Sequence, residues 1–333
     1  MNPGLSYPAV LLAREAMATR FELVLPGTPS PSLRAAGEEA LEEIARLEQL
    51  LSLYRPSSEI AHVNARAAWE PVRVSPPVFE VLWRARQWHE RTQGAFDITI
   101  APLLRCWGFM GAEGAMPDPV AVQAARAITG MHWVELDPAE MTVRFRKPGV
   151  MVDLGGIGKG YALDCAIAIL REAGITHALL HGGTSSVYAL GAPPDTGAWR
   201  LAIESHPLHA GQAKIPLAVV ELRDQSLTVS TIWGKHFQKN GKTYGHILDP
   251  RTGQPADAAL LSAVMSASAT DGDALATALI VDGKQHHARL GQSLPGLKTL
   301  VAWEAPEGGR LQVAARGLPL LPDAQAELVY WEP

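Results

Sequence analysis

Two stretches within residues 244–282 carry chemistry. The first, His246-Ile247-Leu248-Asp249-Pro250-Arg251-Thr252-Gly253, places an imidazole at the start of a polar turn. A neutral imidazole there can take a proton near physiological pH, or steer a hydroxyl. The second opens a helix at Asp271 to Asp273 and continues as DALATALIV, so Asp273 and Thr277 stack on one helix face. A carboxylate and a hydroxyl converging at a helix start suit a hard cation such as Mg²⁺, which takes oxygen ligands. The same pair also admits a structural account, with Asp273 capping its helix and Thr277 facing the core.

A third stretch runs Val152-Asp153-Leu154-Gly155-Gly156-Ile157-Gly158-Lys159-Gly160-Tyr161-Ala162-Leu163-Asp164. Its glycines let backbone approach a phosphate, Lys159 supplies a compensating charge, and the following helix offers free N–H groups. It is not a P-loop, since Asp153 stands where the first glycine belongs and Gly160 where the hydroxyl belongs. The dinucleotide fingerprint fails as well, because its last glycine falls on Tyr161 or Leu163. A plain strand-to-helix turn remains the alternative.

The elements that position these residues follow from periodicity. A strand over 17–25 ends at Pro26-Gly27. Ser30 and Pro31 then start a helix in which Leu41, Ile44, Leu47 and Leu51 recur at helical spacing. A second helix over 77–92 delivers Gly94-Ala95-Phe96-Asp97. A short helix over 119–128 and a hairpin of 133–136 with 142–146 precede the glycine turn, and the helix after it runs to Glu172, stopped by Gly174. Strands are expected over 178–191, 199–204, 218–222, 298–303 and 310–314, with helices from Asp271 and from Lys284. Irregular alternation of strands and helices indicates an α+β fold, not a doubly wound sheet. One compact unit over 1–333 with two lobes is expected.

With 333 residues, of which 47% are hydrophobic, the chain can bury a substantial core. Its net charge of −5 comes from 29 basic and 34 acidic residues without runs of like charge, which argues against a nucleic-acid groove or a polybasic membrane patch. Cys106 and Cys165 form no CxxC pair, so neither a disulfide framework nor a zinc site is indicated. The first residues show no basic leader, lipobox cysteine or spanning segment. A cytoplasmic location is the expectation, or a periplasmic one if the chain is a trimmed form.

These stretches, with Met17-Ala18-Thr19, LSLYRPSSEIAHVN at 51–64 and GAFDITIAPLLRCWGF at 94–109, resemble in content and order the ApbE family, the FAD:protein FMN transferases. The resemblance implies a mainly antiparallel sheet packed by helices, related to the T-fold. It also implies Mg²⁺-dependent transfer of FMN from FAD, as substrate, to a Thr or Ser hydroxyl of an acceptor flavoprotein, with release of AMP. FAD hydrolysis and non-catalytic flavin binding are the rival readings. Carried over residue by residue, His246 is the base. Met17, Tyr54, Ala95, Phe96, Asp97, Asp153, Lys159 and Ile247 are FAD contacts, and Gly156, Asp273, Ala276 and Thr277 the Mg²⁺ ligands. Should His246 only bind, Asp271 is the reserve base. Two blocks depart from the family pattern: Gly182-Gly183-Thr184 lacks an acidic third residue, and Ser230 to Phe237 reads STIWGKHF where SGDYxRF is frequent.

Overall fold

The computed structural model describes residues 6–111, 114–205, 215–294, 296–305, 311–318 and 327–328. It opens with a hairpin, β1 (Ala9–Ala16) and β2 (Thr19–Pro26), whose tip is Met17-Ala18. Both tip residues lie in the left-handed region (φ 51° and 57°), as a tight two-residue hairpin requires and as glycine or asparagine ordinarily supplies. The single strand expected over 17–25 therefore has a partner. β1 is an edge strand that buries only Val10 and Ala16, so it carries little apolar signal.

Ser30 Oγ accepts from Leu33 N–H and starts α1 (Pro31–Leu51). Ser58 Oγ does the same for Ala61 N–H in α2 (Glu59–Arg66), a short helix inside the LSLYRPSSEIAHVN stretch. Next come β3 (Val72–Arg73), α3 (Pro76–Arg91), α4 (Ala101–Cys106) and α5 (Pro119–Arg126), then the expected hairpin β4 (Val134–Asp137) and β5 (Thr142–Phe145). α6 (Gly158–Glu172) is followed by β6 (Ala178–Gly182) and β7 (Ser186–Leu190). The sequence suggested one strand over 178–191. Instead the chain reverses at Gly183 (φ 63°), where an added Cβ would lie 2.4 Å from Thr19 Oγ1.

The remaining strands are β8 (Trp199–Ser205), β9 (Ile215–Leu222), β10 (Gln225–Thr231), β11 (His236–Lys239), β12 (Lys242–Gly245) and β13 (Leu261–Ser266). α7 (Ala269–Ser293) precedes β14 (Lys298–Glu304), β15 (Leu311–Arg316) and β16 (Glu327–Leu328). The two helices expected from Asp271 and Lys284 are one, kinked at Gly283 (φ 57°), where a Cβ would meet the Ala258 carbonyl oxygen at 2.5 Å. Arg310, the expected start of the last strand, lies outside the described residues.

A nine-stranded sheet of order β1-β2-β6-β7-β10-β13-β14-β15-β16 organises the molecule, antiparallel except for the β15–β16 pair. The α+β expectation holds. Strand alternation divides two cores. Phe21, Leu23, Leu180, Val264 and Val301 face the layer of α1, α6 and α7, while Leu227, Ala263, Met265, Leu300 and Val313 face the β8–β9 ladder. A third cluster joins Leu103, Trp107, Phe109, Val122 and Leu248 to Phe237 and Tyr244 of the β11–β12 hairpin. No described helix is long and apolar enough to cross a membrane.

Candidate active site

The glycine turn is held by two of the other stretches. Asn64 clamps Val152 through both backbone groups, donating to its carbonyl (2.9 Å) and accepting from its N–H (2.8 Å). Asp153 N–H then donates to the Ile98 carbonyl at 2.7 Å, so GAFDITI fixes the next residue. Asp153 Oδ1 accepts from Gly155 N–H at 2.7 Å. Burial raises the Asp153 pKa, opposed by that N–H and by the charges of Lys235 and Lys159. Tyr54, 60% exposed, lies in the field of Asp153.

None of the four glycines of this turn has a positive φ, so close approach is what they permit. At Gly160 a Cβ would sit 2.1 Å from the Ala269 carbonyl oxygen, which shows α6 lying directly against the start of α7. The two helices cap each other there. Asp164 of α6 accepts from Ala269 N–H (2.8 Å), Thr270 N–H (3.0 Å), Thr270 Oγ1 (2.6 Å) and Ser268 Oγ (2.8 Å). Asp273 of α7 accepts in return from Gly160 N–H at 3.0 Å.

Asp273 is 4% exposed, and burial raises its pKa against the pull of Lys159 and the Gly160 N–H. Thr277 Oγ1 donates to the Asp273 carbonyl (3.1 Å) and faces Gly156, where a Cβ would lie 3.1 Å from that hydroxyl and 3.3 Å from the Phe96 ring. Gly156, Phe96, Asp273, Thr277 and Lys159 are thus one cluster. Among the described residues no group of three or more His, Cys, Asp or Glu side chains could hold a metal. The oxygens gathered here are one carboxylate, one hydroxyl and nearby backbone. That set fits a magnesium ion that takes one or two carboxylates and completes its shell with phosphate and water. The Ala276 carbonyl, also expected as a ligand, already accepts from Ser262 Oγ of β13 at 2.7 Å.

His246 follows the β11–β12 hairpin. Its backbone N–H (2.9 Å) and ring Nδ1 (3.1 Å) both meet the Lys235 carbonyl. A carbonyl only accepts, so Nδ1 carries the proton and Nε2 keeps its lone pair. Burial lowers the His246 pKa; the Lys235 carbonyl works against this, and the charges of Lys159, Lys235 and His236 add to it. The imidazole is therefore neutral at physiological pH, with a base nitrogen in the same electrostatic neighbourhood as Asp153 and Lys159. Asp249 holds the turn beyond it, accepting from Arg251 N–H at 2.9 Å and pairing with the guanidinium. Ile247 packs on the main core.

Two expected residues already have protein partners. The Asp97 carboxylate was assigned to FAD, yet it is 6% exposed and committed to the frame. It accepts from Thr99 N–H (2.7 Å), Thr99 Oγ1 (2.6 Å) and Met131 N–H (3.2 Å), and it pairs with His89 (3.1 Å). Asp271, the reserve base, is held by Arg84 Nη1 (2.7 Å) and Trp88 Nε1 (2.8 Å) of α3. Ala95 is buried beside Phe96, and Met17 packs on the main core at the hairpin tip; the contacts above do not link either to the cluster. Lys235 and Gly234, which fix His246, and Asp164, which caps α7, were missed. Asp164 lies at the end of the 152–164 stretch, and a carboxylate in the first half of α6 is its signal in the sequence.

Comparison with known proteins identifies the family. The ApbE family profile matches residues 17–301. A Klebsiella pneumoniae (strain 342) protein named FAD:protein FMN transferase is 33% identical over 267 residues, covering 78% of this chain and 81% of its own. A Treponema pallidum (strain Nichols) protein of the same name is 32% identical over 286 residues, with 82% and 78% covered. Among solved structures, the flavin transferase ApbE from Vibrio cholerae superposes with a TM-score of 0.82 at 26% identity, over 93% of this chain and 98% of that one. The ApbE protein from Thermotoga maritima MSB8 gives 0.81 at 28%, over 91% and 96%. With a profile match over most of its length and relatives above 30% identity, the chain belongs to the ApbE family.

Proposed function

We propose that this chain is an FAD:protein FMN transferase that moves FMN from FAD to a Thr or Ser hydroxyl of an acceptor flavoprotein and releases AMP. The observation that carries the reading is His246, with Nδ1 tied to the Lys235 carbonyl and Nε2 left basic within the field of Lys159. The names of the relatives give the substrate. Lys159 and the first turn of α6 bind the diphosphate. Met17, Tyr54, Ala95, Phe96 and Ile247 line the flavin side, and Asp153 accepts from polar groups of FAD. His246 Nε2 takes the acceptor's hydroxyl proton. The oxygen so freed forms a bond to the FMN-side phosphorus, the P–O bond to the bridging oxygen breaks, and AMP leaves with that oxygen.

Gly156, Asp273 and Thr277 would hold Mg²⁺. Its chemistry when bound is neutralisation of diphosphate charge. Asp273 suits that task because it is a buried carboxylate that, among the described residues, accepts from a single N–H, with the charge of Lys159 acting on it. One catalytic unit with two lobes accommodates both substrates. The test is incubation with FAD, Mg²⁺ and candidate flavoprotein subunits, followed by in-gel flavin fluorescence. A fluorescent acceptor band that requires the divalent cation is expected. Free FMN plus AMP without a labelled band would make the chain an FAD pyrophosphatase, and uncleaved FAD would make it a flavin-binding protein.

A further inference from the structure

Next to His246 lies a cleft of about 650 Å³ to which the reaction above assigns nothing. It opens between residues 109–111 and 114–116 on one side and β11 with its preceding turn on the other, and Phe109, Met116, Lys235, His236, Phe237 and Lys239 line it. Its inner wall is shared with the base. The Phe109 ring meets the His246 imidazole edge-on (centroids 6.5 Å, 71°), and at Gly234 a Cβ would come within 2.7 Å of His246 Cε1. The floor is rigid, because Phe237 stacks on Tyr244 (5.2 Å, 15°) and packs against Trp107 and Phe109.

The cleft is cationic in a chain of net charge −5: Lys235, His236 and Lys239 are exposed there, and no described lining residue is acidic. Neither lysine makes an ion pair among the described residues. β11 and β12 form a two-stranded sheet of their own, so the outer edge of β11 has no described strand partner. Exposed edges with free backbone groups accept an added strand, and alternate side chains of the guest then fill pockets. The charges acting on Asp153, Asp273 and His246 come from Lys159, Lys235 and His236; Lys239 lies beyond them on β11. The diphosphate is assigned to Lys159, which does not line the cleft, and this leaves the cleft's own cations for a different ligand.

We propose that this cleft seats an acidic, extended segment of the acceptor protein, with Lys235, His236 and Lys239 facing its carboxylates while its hydroxyl reaches His246. The proposal rests on the transfer reading for the identity of its guest. The probe is a short fluorescently labelled peptide with one Thr flanked by aspartates, titrated by anisotropy into the FAD-loaded protein, with a lysine-flanked peptide as control. The acidic peptide should bind and the basic one should not. Lys239→Glu should weaken acidic-peptide binding about 10-fold or more, with Lys239→Gln intermediate, as expected for removing and then reversing one charge at a rim. FAD affinity, followed by flavin fluorescence, should stay unchanged, and transfer to the peptide should show a raised KM at constant kcat.

Peptide binding indifferent to Lys239→Glu overturns the proposal. So does a Lys239→Glu protein that loses FAD affinity instead, which would assign the cleft to the AMP half of FAD. A wild type that binds the peptide through Lys239 yet never attaches flavin would leave the cleft standing and sink the transfer reading. Unaltered transfer in Lys239→Glu would do the reverse.

Discussion

His246 acts through one nitrogen, and the Lys235 carbonyl decides which. His246→Gln should keep FAD affinity within a few-fold and lower single-turnover AMP release with a hydroxyl acceptor by about 10²-fold or more, the scale of a positioned general base. Unchanged chemistry with collapsed FAD binding would make the imidazole a contact only. Because burial holds the His246 pKa below its ordinary value, the base form is complete at neutral pH. The rate of transfer should therefore fall only at pH below the ordinary histidine range, as protonation removes the Nε2 lone pair. That acid limb should vanish in His246→Gln. At Asp273, replacement by Asn keeps an acceptor for the Gly160 N–H but removes the charge. Turnover dependent on Mg²⁺ should be lost, with circular dichroism unchanged, and wild-type rates at ordinary Mg²⁺ would refute the ligand assignment. The sequence could single out His246, Asp273, Thr277 and Lys159 as candidates because their residue types and the family resemblance both point to them. The restraint on Asp271 was not legible, since its partners Trp88 and Arg84 are 183 and 187 residues away in the chain.

Reciprocal capping of α6 and α7 is what places Lys159 beside Asp273, so the site's geometry depends on a helix contact. Asp164→Ala removes four hydrogen bonds from the start of α7 and should lower stability by about 1–3 kcal/mol in denaturant unfolding. Gly160→Ala should be at least as damaging, because a Cβ 2.1 Å from the Ala269 carbonyl oxygen must push the helices apart. Gly156→Ala meets only the Thr277 hydroxyl and the Phe96 ring at 3.1 and 3.3 Å, and should affect Mg²⁺ dependence more than stability. A Gly160→Ala protein of wild-type stability would contradict this packing account. The major helices were legible from helical spacing and caps. β10 and β13 were not, because their helix-facing rows, Ser226, Thr228 and Ser230 in one and Ser262, Val264 and Ser266 in the other, hold a single apolar residue. The 178–191 run reads as one strand because apolar residues on both sides, Ala178 to Leu180 and Val187 to Leu190, flank a short polar stretch that holds the Gly182-Gly183 reversal.

At the scale of the whole molecule, the stretches that carry the resemblance are scattered over residues 17–277 and share no secondary structure. The sheet and the α1, α6 and α7 layer bring the glycine turn, the 94–98 stretch and the start of α7 together, with His246 approaching from the β11–β12 hairpin. Sequence order could identify these stretches, but which of them touch is a property of the antiparallel topology. The central claim is that this assembly joins FMN to a hydroxyl and does not merely cut FAD. It is tested most directly by counting products in one reaction: AMP released, FMN bound to the acceptor through a phosphoester by intact mass, and free FMN. The account predicts one covalent FMN per AMP, little free FMN, and loss of both products together in His246→Gln. AMP matched by free FMN, with the acceptor's mass unchanged, would contradict it.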